Sequence, residues 1–239
     1  MSDPGRFRVA TYNIHKCRGM DGRLDPARIV EVLRAVDADI VALQEVVGPG
    51  GNLDHAAFIA GELGLHSSLG ENRRLQGGAY GNLVLTRAAP RAVLNHDISV
   101  PGREPRGCLR VDLVIADRLL HVFNLHLGTA YRERREQARV LLSPAVLQRA
   151  SLAGSRLVLG DFNEWIRGPA TRRLSAELQS ADVKLHLGFG RTYPGLLRFL
   201  HLDHVYFDPA LHLRGMELHR SRTALLASDH LPLVADFQW

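Results

Sequence analysis

The sequence predicts an α/β fold of the α+β type: two mostly antiparallel sheets with helices on their outer faces. Three observations lead there. Strand-like apolar runs outnumber helical ones and do not alternate with them regularly. From residue 65 to 98, and again from 109 to 125, such runs follow one another with no helix between them. That order implies antiparallel pairing, because a parallel connection needs a long crossover. The clearest helix carries a single apolar stripe, which a sheet must cover. A doubly wound parallel sheet would require regular strand–helix alternation, so it is set aside. No internal repeat of about 20 to 50 residues is present, which excludes solenoids and propellers.

Taken in order, Phe7 to Ile14 is a run of β-formers that ends in polar His15-Lys16. Asp25-Pro26 supplies an N-cap and a first-turn proline, followed by Ile29, Val30, Leu33 and Val36 at helical spacing, so a helix is expected over Asp25 to Val36. Ile40 to Leu43 is short and wholly apolar, a buried strand that delivers Gln44 and Glu45 at its end. A helix follows from about Asp54 to Leu63, stopped by Gly64. Strands are expected at Leu65 to Leu69, Gly81 to Thr86 and Arg91 to Ile98, with Gly48 to Gly51 and Gly77 to Gly81 as loops. Leu109 to Ala116 and Leu119 to Leu125 form a hairpin about Asp117-Arg118, and Thr129 to Leu142 is a basic helix. Arg156 to Leu159 is a buried strand ending at Gly160-Asp161, and a helix near Pro169 to Leu178 precedes strands at Leu202 to Phe207, Leu213 to Ser221 and Leu231 to Phe237.

An apolar fraction of 46% with 23% charged residues is ordinary for a chain of 239 residues with a sizeable core. No Pro/Ser/Gly-rich linker or charge block divides it, so one domain, residues 1–239, is expected. Met1 to Arg8 has no apolar run, and nowhere do about 18 apolar residues follow one another. A soluble, cytoplasmic chain is the corresponding expectation. The two cysteines, Cys17 and Cys108, are expected to be free thiols. The net charge of +5 favours a phosphate-bearing partner. The densest basic run, Tyr131 to Arg139, alternates with Glu133 and Glu136 and reads as a solvated helix face. Aromatic residues are only 6% of the chain, and no stacking platform of the single-strand-binding kind is visible.

The chemistry lies at the strand ends. Thr11-Tyr12-Asn13-Ile14-His15, Leu43-Gln44-Glu45-Val46, Gly160-Asp161-Phe162-Asn163 and Ser228-Asp229-His230 each place proton-transferring or cation-binding groups directly after a buried run. A hard divalent ion takes one or two carboxylates and an amide oxygen, a set that Glu45, Asn13 and Asp229 can supply. Asp203 lies within the apolar run Leu200 to Phe207, where an unpaired carboxylate would be costly, so it needs a partner such as His230 or an arginine. His15 is two residues from Asn13, on the same face of an extended chain, and is placed as a substrate contact.

In their order TYNIH, LQEV, GNLVLTR, FNLHLG, GDFNEW, LDHVYF and SDHLPL, these segments resemble the endonuclease/exonuclease/phosphatase family from Asn13 to His230. The resemblance implies a four-layer α/β/β/α sandwich with the site where strand ends converge. It implies a Mg²⁺ or Mn²⁺ cofactor, with Glu45 as principal ligand, Asn13 and Asp229 beside it, and a second cation near Asp161 and Asn163. Asp161 would align or deprotonate the attacking water and Asn163 would fix that water or a phosphate oxygen. His230, held by Asp203, and His126 would face the phosphate, and Arg106 and Asn82 would reach the substrate. Glu71 is expected to orient His126. The implied activity is hydrolysis of a phosphodiester by a monomer. Nucleic acid is favoured as substrate by charge, and a phospholipid head group or a small phosphate ester is the alternative. The apolar stretch with Leu196, Leu197, Phe199 and Leu200 would lie either near the site or in the core. A binding module that has lost catalysis would have little need of Glu45, Asp161, Asp229 and His230 together.

Overall fold

A computed structural model describes residues 5–148, 152–164, 168–181 and 202–239. The predicted apolar stretch with Leu196, Leu197, Phe199 and Leu200 lies outside these residues. In chain order the strands are β1 (Arg6–Asn13), β2 (Ile40–Val47), β3 (His66–Leu75), β4 (Gly78–Thr86), β5 (Ala92–Asp97) and β6 (Gly107–Ile115). They continue with β7 (Arg118–His126), β8 (Ser155–Asp161), β9 (Gln179–Ser180), β10 (Asp203–Phe207), β11 (His212–Leu218) and β12 (Leu233–Gln238). The helices are α1 (Pro26–Val36), α2 (His55–Leu63), α3 (Tyr131–Leu141), α4 (Pro169–Leu174) and α5 (Arg222–Ala227).

Two six-stranded sheets result, in the orders β11-β12-β1-β2-β4-β3 and β5-β6-β7-β8-β10-β9. Only β1–β2 and β7–β8 pair in parallel; the remaining pairings among the described residues are antiparallel, as expected. Three apolar clusters fix the layers. One packs Ile29, Val32 and Leu33 of α1 and Ile59 of α2 against Ala10, Tyr12 and Leu43 of the first sheet. A second joins the sheets through Val9, Ala42 and Val84 on one side and Leu109, Val122, Leu159 and Val205 on the other. A third packs Ala138 and Leu141 of α3 and Leu174 of α4 against Phe123, Leu125 and Val158 of the second sheet. The architecture is therefore helices, sheet, sheet, helices, with the central strands covered on both faces and the edge strands β3, β5, β9 and β11 partly exposed.

Several boundaries depart from the sequence reading. Gly78 to Gly81 belongs to β4, not to a loop; the turn is Gln76-Gly77, both at positive φ (49° and 84°), as a two-residue hairpin requires. The second hairpin turns on Ala116-Asp117, one residue earlier than expected, again with both φ positive. β11 stops at Leu218, and Ser221 instead caps α5, which the sequence reading missed, by accepting the Ala224 N–H at 3.0 Å. In α3, Glu133 and Arg134 are buried and only part of the charged run is solvated. Arg134 turns inward to donate to the carbonyls of Gly128 and Thr129. Cys17 and Cys108 are free and buried. No helix among the described residues is long and apolar enough to cross a membrane.

Glu164, the acidic residue of GDFNEW, has a structural role. It accepts from the Ala170 and Thr171 N–H groups at 3.1 and 2.9 Å and from the Thr171 hydroxyl at 2.7 Å, at the start of α4. Glu164→Ala leaves these buried donors unmatched and is expected to lower stability by about 1–3 kcal/mol. A urea titration would show it as a lower midpoint, partly restored in Glu164→Gln, which keeps an acceptor oxygen.

Candidate active site

Strand alternation builds most of the site. In β1, Phe7 and Val9 face the opposite sheet while Ala10 and Tyr12 face the helices, so Asn13 projects into the inter-sheet layer at the strand's end. The same rule turns Asp161 inward after Leu157 and Leu159 of β8, His126 after Leu120 and Val122 of β7, and Asp203 ahead of Val205 and Phe207 of β10. Register then brings them together: Asp161 lies opposite both His126 and Asp203. Gly160 permits this closeness. At φ +146°, a Cβ there would sit 1.9 Å from the Leu125 carbonyl oxygen.

Glu45 breaks the alternation. Val41 and Leu43 of β2 face the helices, and a continuing strand would send Glu45 the same way. A bulge between Leu43 and Val46, with Glu45 at φ 58°, redirects its carboxylate to Asn13. Asn13 Nδ2 donates to Glu45 Oε1 at 3.3 Å and to Asp161 Oδ2 at 3.1 Å. After β1 the chain passes through three consecutive left-handed residues, His15, Lys16 and Cys17, with φ of 45°, 57° and 59°. This tight turn brings the Lys16 ammonium into direct contact with Glu45 Oε2. Strained backbone of this kind concentrates at functional sites.

Asp161 is the centre of the network. His126 Nε2 and His230 Nε2 lie 3.4 and 3.7 Å from its Oδ2, and the Asn163 N–H donates to its Oδ1 at 2.9 Å. The two imidazoles differ. Burial opposes charge on His230, but Asp203, 2.9 Å from its Nδ1, together with Asp161 and Asp229, pushes its pKa up to about 10. Burial also dominates at His126, where Arg106, 2.9 Å from Nδ1, adds to it; the opposing pull of Asp161 does not prevent a fall to about 4. Burial works against ionisation of Glu45, yet His126, Lys16 and Asn13 outweigh it and hold the carboxyl at about 2. At neutral pH the site holds an ionised Glu45, a cationic His230 and a neutral His126.

The other sequence candidates are placed as follows. Asp229 accepts from the Ser228 hydroxyl at 3.3 Å and lies 3.9 Å from the His15 ring. The strand-face argument for His15 does not hold, since β1 ends at Asn13 and His15 opens the left-handed turn, its N–H donating to Asn13 Oδ1. Asn163 donates to the Leu127 carbonyl at 2.8 Å. Asn82 is buried and its Nδ2 donates to the carbonyls of Gly107 and Asn124, so its amide joins the two sheets. Gln44 and Asn124 do the same beside it, bonded to each other at 2.8 Å. Glu71 does not orient His126; it pairs with Arg74, and Arg106 takes that place, anchored on Glu104. The sequence reading missed Lys16, Tyr80 and Ser228. Tyr80, whose hydroxyl is pushed up by burial and by the Glu45 charge, could have been found from Asn82, two residues on in the same strand. Ser228 ties the loop before β12 to the Asn13 carbonyl at 2.8 Å.

The pattern of the endonuclease/exonuclease/phosphatase family matches residues 10–230 of this chain. The chain belongs to that family. The uncharacterised protein YbhP of Escherichia coli K12 is 32% identical over 245 residues, covering 96% of this chain and 95% of YbhP. An endonuclease/exonuclease/phosphatase from Beutenbergia cavernae superposes with a TM-score of 0.77 at 24% identity, over 98% of this chain and 72% of that one. The human Nocturnin catalytic domain shares the fold at a TM-score of 0.77 and 22% identity, over 98% and 93%. A mannosyl-6-phosphatase of Bacteroides thetaiotaomicron does so at 0.76 and 18%, over 98% and 100%.

Members of the endonuclease/exonuclease/phosphatase family typically use divalent metal ions. The donor chemistry here fits one. Glu45 is ionised and Asp229 adds a second carboxylate near the same strand ends, the oxygen donors a hard cation prefers. Among the described residues no three His, Cys, Asp or Glu side chains cluster to enclose an ion. One or two carboxylates with water and phosphate oxygens suffice for Mg²⁺. Asn13 turns its N–H group, not its oxygen, toward Glu45, so acting as a ligand would require its amide to rotate.

Proposed function

We propose that the chain is a Mg²⁺- or Mn²⁺-dependent phosphodiesterase that hydrolyses its substrate with an activated water. The observation that carries this reading is Asp161 set between two imidazoles, with His126 Nε2 and His230 Nε2 3.4 and 3.7 Å from its Oδ2. Paired titratable groups whose surroundings drive them apart divide acid and base roles between them. Asp161 orients and accepts a proton from the attacking water, supported by Asn13 and Asn163. Cationic His230, held by Asp203, donates a hydrogen bond to the phosphate as negative charge builds on its oxygens. Neutral His126, fixed by Arg106, adds a second donor from the other side. Glu45, with Asp229 and, after rotation of its amide, Asn13 as further oxygen donors, would hold a divalent ion, which would supply charge neutralisation at the phosphoryl group. Among substrates nucleic acid is favoured by the net charge of +5.

Hydrolysis of bis-p-nitrophenyl phosphate, plasmid and single-stranded DNA, RNA and choline phospholipids is the direct test. Turnover is expected with Mg²⁺ or Mn²⁺ and is expected to fall to background in EDTA, returning on metal readdition. Full activity in EDTA would sink the metal-dependent reading.

A further inference from the structure

Of the 30 lysines and arginines in the chain, only Lys16 and Lys184 are lysines. Lys16 stands against Glu45, the carboxylate placed above as principal holder of the divalent ion. Its ammonium contacts Glu45 Oε2 while Asn13 Nδ2 donates to Oε1, so both carboxylate oxygens are engaged by N–H donors. The backbone is bent to make this contact. Lys16 has φ 57°, between His15 at 45° and Cys17 at 59°, a conformation unfavourable for any residue with a Cβ. Elsewhere the chain pairs its carboxylates differently. Arg28 grips Asp21, Arg110 grips Asp112 and Arg156 grips Asp208, each through two N–H groups on two oxygens. Such forks are strong and fix geometry, whereas an ammonium is a compact point charge on a flexible stem. Lys16 also has a way out. Its side chain is 34% exposed and borders a groove of about 560 Å³ whose lining contains no carboxylate to hold it elsewhere.

We propose that Lys16 is an exchangeable cation that holds the Glu45 carboxylate until a divalent ion takes it, and that Lys16 thereby sets how tightly that ion binds. This role rests on Glu45 being the metal-holding carboxylate, as read above. A largely buried carboxylate without a charged partner would be costly, and the ammonium supplies that partner while no metal is bound. Divalent-ion binding at the same oxygens displaces the ammonium into the groove, where its head returns to water and its stem stays on the apolar wall of Leu24 and Val47. Only the fraction of molecules with Lys16 released is competent to bind, so the apparent affinity is reduced by that fraction. An arginine fork at this position would hold Glu45 more firmly, which gives a physical reason for a lysine in a chain that otherwise relies on arginine.

The test measures Mn²⁺ binding to the full chain, without substrate, by loss of the free-ion electron paramagnetic resonance signal. Wild type is compared with Lys16→Met, which keeps the stem and the backbone conformation without the charge, and with Lys16→Arg. The Met variant is expected to bind Mn²⁺ about fivefold tighter than wild type, the upper worth of a partly exposed ion pair, and the Arg variant more weakly than wild type. The gain is expected to vanish when Glu45→Gln is added to Lys16→Met. In the wild-type chain at fixed pH, saturating Mg²⁺ is expected to speed acetylation of Lys16 by at least about twofold as its released fraction rises, read by mass spectrometry on the peptide that carries it. Any other order of affinities, a gain that survives Glu45→Gln, or an acetylation rate that Mg²⁺ leaves unchanged overturns the proposal. Acetylation needs no variant, so it decides alone should Lys16→Met fail to fold. If neither wild type nor a folded Lys16→Met binds Mn²⁺, the metal-dependent reading falls as well; if both bind equally, only the role of Lys16 falls.

Discussion

Asp161→Ala is expected to reduce metal-dependent hydrolysis of bis-p-nitrophenyl phosphate by about 10²–10⁴-fold, the range for loss of a general base. The carboxylate stands 3.4 and 3.7 Å from the His126 and His230 rings and accepts hydrogen bonds from Asn13 and Asn163. No neighbour can replace it: Asp203 is engaged with His230 on the far ring nitrogen, and Glu45 with Lys16. The loss should fall on kcat, with KM little changed, because Lys16, Arg106 and His230 remain. A variant that retains more than about a tenth of wild-type kcat would remove Asp161 from its proposed role.

Asp208→Ala should have the largest effect on stability. Arg156 and Asp208 are each 1% exposed, and their side chains meet in a two-pronged pair, Nε to Oδ2 at 3.0 Å and Nη2 to Oδ1 at 2.9 Å. Asp208 Oδ2 also accepts the Arg156 N–H at 2.8 Å. Burial opposes the guanidinium charge, and Asp208 outweighs that opposition. Removing the aspartate leaves the buried guanidinium with only the Leu147 carbonyl and the more exposed Glu177 carboxylate at 3.3 Å, which costs about 2–4 kcal/mol. Arg156 is five residues from Asp161 along β8, roughly 16 Å. Chemical denaturation should therefore show the loss while kcat at low temperature stays near wild type. A change below about 1 kcal/mol would contradict the account.

The sequence made the strand ends legible because alternation is a local property. Asp161 and Asp203 stand two positions from inward-facing Leu159 and Val205, and Asn13 and His126 four positions from Val9 and Val122, so the period of two was enough to align them. The elements themselves were readable for the same reason, as with α1, whose Asp25-Pro26 start and apolar spacing match the observed helix. Glu45 was identified as a candidate, but its direction was not readable, since no glycine marks the bulge that turns it. His15, Lys16 and Cys17 hide a left-handed turn in the same way, so the contact of Lys16 with Glu45 was missed. Charge pattern misled at α3, where Glu133 and Arg134 look solvated by spacing but are covered by tertiary packing. The partner of His126 depended on contacts across β6 and β7, and the sequence offered Glu71 where the fold supplies Arg106.

The pairing of β1 with β12, Phe7 opposite Phe237, ties together two segments that are far apart in the chain. β2 lies on one edge of β1, and β12, the last of the described strands in chain order, lies on the other. Asp229 and His230 arrive only just before that strand. A chain cut short before Asp229 thus lacks both the strand that covers this edge of β1 and the imidazole that stands 3.7 Å from Asp161.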